Sequence, residues 1–293
     1  MFADAYMKAK CFTLPVVIST RFFDGSVECG CGAYVVLNDE GWIMTVAHIW
    51  ESHFAHKSHL AEIDDYNKKL QAIEQSTSFD AKHKRKKIAQ LQSNPRWITN
   101  HSFWWGIDGA QLKDIKPLPD GDLVIGRLEP FDPKRISSYP ILKDPTTNLN
   151  NGTSLCKLGF PFHEIKATFD PVKNAFALAP GSLPLPLFPI DGIFTRQVFA
   201  GKSKDGKYDI KFIETSSPGL RGQSGGPIYD TKGTIWALQS RTSHFPLGFS
   251  PTIKKKGIDV EENQFLNVGW GVHIELIVSF LREHGVKFSI STY

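Results

Sequence analysis

Short apolar runs separated by turn residues set the pattern over residues 13 to about 47, where LPVVI, AYVVL and WIMTV alternate with the clusters FFDG and NDEG. That spacing predicts short antiparallel strands. The pattern breaks over 51 to about 92. There Leu60, Ile63, Leu70 and Ile73 recur at helical spacing, a polar TSFD segment follows, and Ile88 and Leu91 suit a second short helix. A helical hairpin inserted into a β domain is the simplest account. Strands resume with RWIT and reach DLVIGRL at 122–128, after which the Pro-, Asp- and Asn-rich stretch 129–152 reads as a connection between domains.

The second half repeats the β pattern in SLCKLGF, DGIFTRQVF, YDIKFIET, GPIYD, GTIWALQS and LNVGWGVHI, enough segments to close a barrel. Residues 275–284 place Leu276, Ile277, Phe280 and Leu281 on one helical face, and Gly285 ends the run. The predicted organisation is a β domain over 12–130 carrying the insertion at about 51–92, a linker over 131–152, a second β domain over 153–274, and a helix with tail over 275–293. No internal repeat indicates a solenoid or propeller.

Composition narrows the class. With 41% hydrophobic and 22% charged residues, 24 Gly and 18 Pro in 293 residues, disorder and collagen are excluded and two ordinary cores fit. No run of about 18 apolar residues exists. The opening MFADAYMKAKCF lacks the basic-then-apolar pattern of a secretory signal, so a cytoplasmic location and no membrane partner are expected. A net charge of +4, from 34 Lys and Arg against 30 Asp and Glu, is too slight to argue for a nucleic-acid partner. The four cysteines make no disulfide framework. Cys29 and Cys31 form a lone C-x-C without the second pair that a structural zinc site needs, and Cys11 and Cys156 stand apart, so ordinary buried thiols and no metal are expected.

Three segments carry chemistry. In Gly222-Gln223-Ser224-Gly225-Gly226-Pro227, glycines permit the close backbone approach that lets the amides of Gly222 and Ser224 aim at one developing oxyanion beside an exposed hydroxyl. Taken alone, this is equally a glycine-rich turn with a solvated serine. His48 ends a strand-like run and suits a general base, although it is one of ten histidines. Asp122 opens the apolar run LVIGRL, where a carboxylate is costly unless something binds it; it also fits a plain turn after Asp120-Gly121.

Together, TVAHIW at 45–50, GDLVIGRL at 121–128 and GQSGGP at 222–227 occur in the order His, Asp, Ser and resemble the trypsin-like (chymotrypsin-fold) serine proteases. LGFPF at 158–162, FIETSSPGLRGQSGG at 212–226 and GTIWALQS at 233–240 are similar to the high-temperature-requirement branch and its bacterial relatives. The resemblance implies an all-β fold of two six-stranded antiparallel barrels, with the helical hairpin inserted in the first and a C-terminal helix after the second. It implies a cleft in which Asp122 orients His48, His48 activates Ser224, and the Gly222 and Ser224 amides hold the oxyanion, with no cofactor. It further implies a substrate pocket lined by Pro218, Arg221, Ser240, Arg241 and Thr242, with a protein or peptide as substrate. The far wall falls over 267–271.

The resemblance fails in places. Gln223 stands where secreted members carry the aspartate that pairs with a freshly cut N-terminus, and Val16-Val17-Ile18 runs into Ser19 and Thr20 rather than a mature-enzyme start. Zymogen processing is therefore not expected; a partner or loop ordering would control activity, with the insertion at 51–92 and its run Lys82-His83-Lys84-Arg85-Lys86-Lys87 as the candidate regulatory surface. Pro218, six residues before the serine, supplies no carboxylate for a basic substrate residue, which leaves a small or apolar one as the expectation. Two other readings stay open: a catalytically silent protease-fold module that binds peptides or serves as a scaffold, and an esterase-like acyl hydrolase, the latter without a G-x-S-x-G elbow.

Overall fold

The computed structural model describes residues 1–292. Its first β unit is one antiparallel sheet of β1 (Thr13–Phe22), β2 (Val27–Val36), β3 (Trp42–Thr45), β4 (Ile98–Trp104), β5 (Gln111–Leu118) and β6 (Leu123–Glu129). The spatial order is β4-β1-β2-β3-β6-β5. Register matters most between β3 and β6, where Met44 faces Ile125 and Thr45 faces Val124. The segment leaving β3 toward His48 and the turn entering β6 from Asp122 therefore emerge at the same end of the sheet. Met44, Leu123 and Ile125 are fully buried, and each buried side chain of that size contributes about 1.5–3 kcal/mol. That end is held by the core.

The connection contributes β7 (Ile141–Leu142). The second unit comprises β8 (Ser154–Gly159), the hairpin β9 (Ala167–Asp170) and β10 (Ala175–Leu178), β11 (Phe188–Lys202), β12 (Asp209–Thr215), β13 (Pro227–Tyr229), β14 (Thr234–Pro246), the hairpin β15 (Thr252–Lys255) and β16 (Ile258–Glu261), and β17 (Phe265–His273). β13 pairs with both β8 and β14, so β13-β8-β11-β12-β17-β14 forms a closed six-stranded ring. On the outer edge of β14, β7 and β18 (Ser289–Ile290) add parallel to one another. One apolar cluster runs through both units, from Val35, Met44 and Ile125 to Leu158, Leu238, Val272 and Leu281.

Among the described residues four α-helices accompany the sheets. α1 (Ala3–Phe12), which the sequence reading left out, buries Ala5, Ala9 and Phe12 at helical spacing, while the Phe2 ring before it meets Tyr229 edge-on at 6.2 Å. α2 (Glu51–Gln75) and α3 (Ala81–Gln90) form the inserted hairpin, and Asp80 caps α3 by accepting the His83 amide at 2.8 Å. None of their residues is buried, so the Leu60/Ile63/Leu70/Ile73 stripe is not a core face, and Leu60 is 46% exposed. Polar bonds and ring contacts tie α2 to the sheet: His59 accepts the Ile98 amide at 2.9 Å, Glu62 accepts the Trp97 indole at 2.7 Å, and the Tyr66 ring meets Phe23 edge-on at 5.7 Å and Trp97 at 5.9 Å. α4 (Ile274–Glu283) buries Leu276, Ile277, Phe280 and Leu281, the four expected positions, and Gly285 follows it with φ +65°. Among the described residues no helix is long and apolar enough to cross a membrane.

The two units meet tightly at Gly225. Its φ is +82°, and a Cβ there would collide with the Ala33 carbonyl and the Thr45 hydroxyl of the first sheet. Gly225→Ala is expected to destabilise the protein by about 3 kcal/mol, the sum of backbone strain and overpacking, as read from urea denaturation. A loss below about 0.5 kcal/mol would contradict this packing.

Candidate active site

Asp122 follows a single 3-10 turn at Pro119–Gly121 and adopts the left-handed conformation, φ +50°, which Asp tolerates better than most residues. The residue is 7% exposed, and its carboxylate receives three donors. The His48 amide donates at 2.9 Å, the His48 ring at Nδ1 lies 3.0 Å from Oδ2, and the Ser240 hydroxyl donates at 2.5 Å. Removing one donor from such a charged acceptor costs about 1.5–3 kcal/mol, so the set together is of the size of the desolvation penalty that the buried carboxylate incurs. Burial pushes the Asp122 carboxyl upward, but the His48 hydrogen bond and charge, with Ser240, hold it below the ordinary carboxylate range.

His48 lies in the 3-10 turn Ala47–Trp50 that leaves β3. Burial disfavours its cation, yet the hydrogen bond and charge of Asp122 outweigh that and, with Glu51, raise its pKa above the ordinary 6.5 despite the opposing charge of Arg241. The Asp122 carboxylate can only accept, so the contact fixes the proton on Nδ1 and leaves Nε2 as the nitrogen able to take one up. His48 and Ser224 line the same cleft, together with Ile18, Cys29, Gly30, Cys31, Ile49 and Glu51. Beyond Ser224 the groove continues past Phe160, Phe162, Arg221 and Gly222. Ser224 Oγ has no hydrogen-bond partner among the described residues, so the His48–Ser224 bond is open in this structure. Catalytic hydrogen bonds are often long in the absence of substrate.

The loop around Ser224 is arranged by its glycines. Gly222 has φ +93°, and a Cβ there would strike the Phe160 carbonyl. The amides of Leu220, Gln223, Gly225 and Gly226 are all engaged, with Gln223 Oε1, Leu220 O, Gln239 O and Gln223 O respectively. Those of Gly222 and Ser224 have no partner among the described residues and remain free to donate. Gln223 is fully buried, and its neutral side chain accepts from the Leu220 amide inside the loop at 3.0 Å and donates to the Phe188 carbonyl at 3.4 Å.

Of the expected pocket residues, Arg221 lies on the groove and Thr242 Oγ1 donates to the Gly219 carbonyl at 2.7 Å, next to Pro218. Ser240 and Arg241 hold other contacts. The Ser240 hydroxyl is committed to Asp122, and the Arg241 guanidinium sits 4.7 Å from the Phe212 ring and 6.0 Å from Trp270. Sequence reading missed the bond from Ser240 to Asp122, because a serine at the end of an apolar strand carries no distinguishing signal. It also missed the groove wall formed by Cys29, Gly30 and Cys31. Burial raises the Cys31 thiol to about 11, which removes it as a nucleophile at neutral pH. No group of three or more His, Cys, Asp or Glu among the described residues could hold a metal ion.

No protein-family model matches the sequence, and no curated protein matches it. Among solved structures, the Rv3671c protease from M. tuberculosis in its active form aligns with a TM-score of 0.50 at 11% identity, over 98% of this chain and 87% of that one. A variant of the HtrA-type protease AlgW with a decapeptide aligns with a TM-score of 0.49 at 14% identity, over 97% of this chain and 68% of that one. The likeness to the first establishes the chymotrypsin-like two-barrel fold.

An imidazole held by Asp122 has a specific expected pH response. Reaction of Ser224 with a fluorophosphonate probe is expected to require neutral His48, hence to rise with pH through a midpoint above 6.5. Asp122→Asn removes the charge that raises that midpoint and is expected to lower both midpoint and plateau. Ser240→Ala is expected to slow labelling roughly tenfold by removing one donor to the carboxylate. A profile centred at or below 6.5 in the wild type would contradict the arrangement.

Proposed function

We propose that the chain is a serine endopeptidase that acts through an acyl-enzyme. The observation that carries this reading is a buried Asp122 carboxylate holding the His48 ring at 3.0 Å in the cleft lined by Ser224, beside a loop whose Gly222 and Ser224 amides are unengaged. A turn serine or a structural histidine needs none of these provisions.

In the mechanism, Ser224 Oγ attacks the peptide carbonyl while His48 Nε2 takes its proton, and Asp122 stabilises the resulting imidazolium. The carbonyl oxygen becomes an oxyanion held by the Gly222 and Ser224 amides. His48 then returns the proton to the leaving amine, and a water activated by the same nitrogen hydrolyses the ester. The braced, uncharged Gln223 supports control by something other than a new N-terminus. The motif likeness at 158–162 and 212–226 supports a place near the high-temperature-requirement branch.

One observation favours the second reading, a silent peptide-binding module: Ser224 Oγ is not bonded to His48 in this structure. Labelling separates the two. Wild type is expected to react with a fluorophosphonate probe at Ser224, and Ser224→Ala and His48→Ala to lose three or more orders of magnitude in rate. A digest of a peptide library, analysed by mass spectrometry, is expected to show new termini with wild type only. Wild-type protein inert to the probe, alone and with peptide present, would support the binding module.

A further inference from the structure

α2 carries His53, His56 and His59 three residues apart, so the imidazoles follow one another along one side of the helix, and that side lies against β4. His53 Nδ1 is 3.2 Å from His101 Nε2, His56 Nε2 is 3.1 Å from the Thr99 carbonyl, and His59 Nδ1 accepts the Ile98 amide at 2.9 Å. The His101 ring meets those of His53 at 5.1 Å, His56 at 4.7 Å and Phe103 at 5.5 Å between centroids. Much of the seam between the inserted hairpin and the first sheet is therefore imidazole.

Each contact fixes where a proton sits. A carbonyl only accepts, so His56 carries its proton on Nε2, and an amide only donates, so His59 is bare at Nδ1. His101 Nδ1 is buried without a partner. An unpaired N–H there costs more than a bare nitrogen, so His101 holds its proton on Nε2 and donates it to His53 Nδ1. A second proton on His53 or His59 occupies the nitrogen that accepts a bond. On His101 it creates a buried, charged N–H with no acceptor.

The charged groups around the seam do not offset such a cation. On α2, Lys57 and the His56 imidazole oppose a charge on His53, Glu51 acts on His48, and Glu62 accepts the Trp97 indole at 2.7 Å. Ahead of β4, Arg96 pairs with Glu28 at 2.8 Å. From β1, Arg21 reaches Asn100 at 3.4 Å, and the residue that faces His101 in register is the neutral Thr20. Burial first, then the charges of His56 and His53, pull His101 down to about 4, and burial lowers His53 as well. A ring held below the ordinary 6.5 contributes stability that is present above 6.5 and is lost as pH falls from there toward about 4.

The seam also lies at the root of the cleft. α2 begins directly after the turn Ala47–Trp50 that holds His48, and its first residues, Glu51 and Ser52, line the cleft with His48 and Ser224. No residue of α2 is buried, so no apolar core holds the helix in place when the imidazoles charge.

We propose that this imidazole seam is an acid-released latch: a proton taken up by His53 or His101 frees α2, and with it the Glu51–Ser52 wall of the cleft, from the first sheet while both β units stay folded. Amide hydrogen exchange on the full chain, read as protection factors at pH 7.5 and 5.0, tests this without any reaction at Ser224. Titration of His101 alone, from 6.5 when released to about 4 when latched, is expected to lower the protection of residues 52–60 about thirtyfold between the two pH values. The strands of the second unit are expected to stay better protected than α2 at pH 5.0, as a local release requires. The double variant His53→Gln/His101→Gln can keep one N–H···O bond between the two side chains but takes up no proton, and its response is expected to shrink to about threefold or less. Wild-type protection of 52–60 that changes less than about threefold, α2 and second-unit strands equally protected at pH 5.0, or a folded double variant with the full wild-type response would overturn the proposal. The two wild-type comparisons decide if the variant does not fold.

Discussion

The buried carboxylate of Asp122 is the point on which the rest of the site depends, because it draws its three donors from both β units. His48 supplies its amide and its ring from the first sheet, and Ser240 supplies its hydroxyl from β14 of the second. Loss of any one leaves a charge in a medium that cannot solvate it. The supports of Asp122 are likewise shared. Gly121 gives Leu276 of α4 the room to pack against the turn, and Asp120 accepts the Lys204 amide at 2.9 Å. A shift of one unit against the other would therefore be felt first at this carboxylate, then at the imidazole it orients.

The serine loop answers the same constraint from the other side. The Ala33 amide of the first sheet donates to the Ser224 carbonyl at 2.7 Å, and the glycines at 225 and 226 bring the loop into contact with Ala33, Thr45 and Leu158. Side chains at these positions would separate the units and widen the cleft between His48 and Ser224. Gln223 braces the loop from inside through neutral bonds, accepting the Leu220 amide at 3.0 Å and donating to the Phe188 carbonyl at 3.4 Å.

Much of this is readable from residue pattern alone, where burial and periodicity agree. LPVVI, AYVVL and DLVIGRL are strands because their apolar residues fill a core, and the costly placement of Asp122 ahead of such a run is itself a signal that something binds it. Elements that bury little are not readable in this way. β5 buries only Leu112 and Leu118 along QLKDIKPL and is an edge strand, and the hairpins at Ala167–Leu178 and Thr252–Glu261 lie largely exposed. α1 could have been found from the spacing of Ala5, Ala9 and Phe12, but small residues give a weak moment. Lys157 is hidden for the opposite reason: inside an apolar run a single lysine reads as an exposed interruption, and only the fold shows its amine folded beneath the serine loop.

Nitrogen-15 NMR of histidine-labelled protein tests the central interaction most directly. The account requires one histidine, assigned to His48 through a His48→Gln variant, with its proton on Nδ1 in the neutral state, a pKa above 6.5, and a strongly hydrogen-bonded Nδ1–H resonance that disappears in Asp122→Asn. A His48 that carries its proton on Nε2, or that titrates alike in wild type and Asp122→Asn, would contradict it.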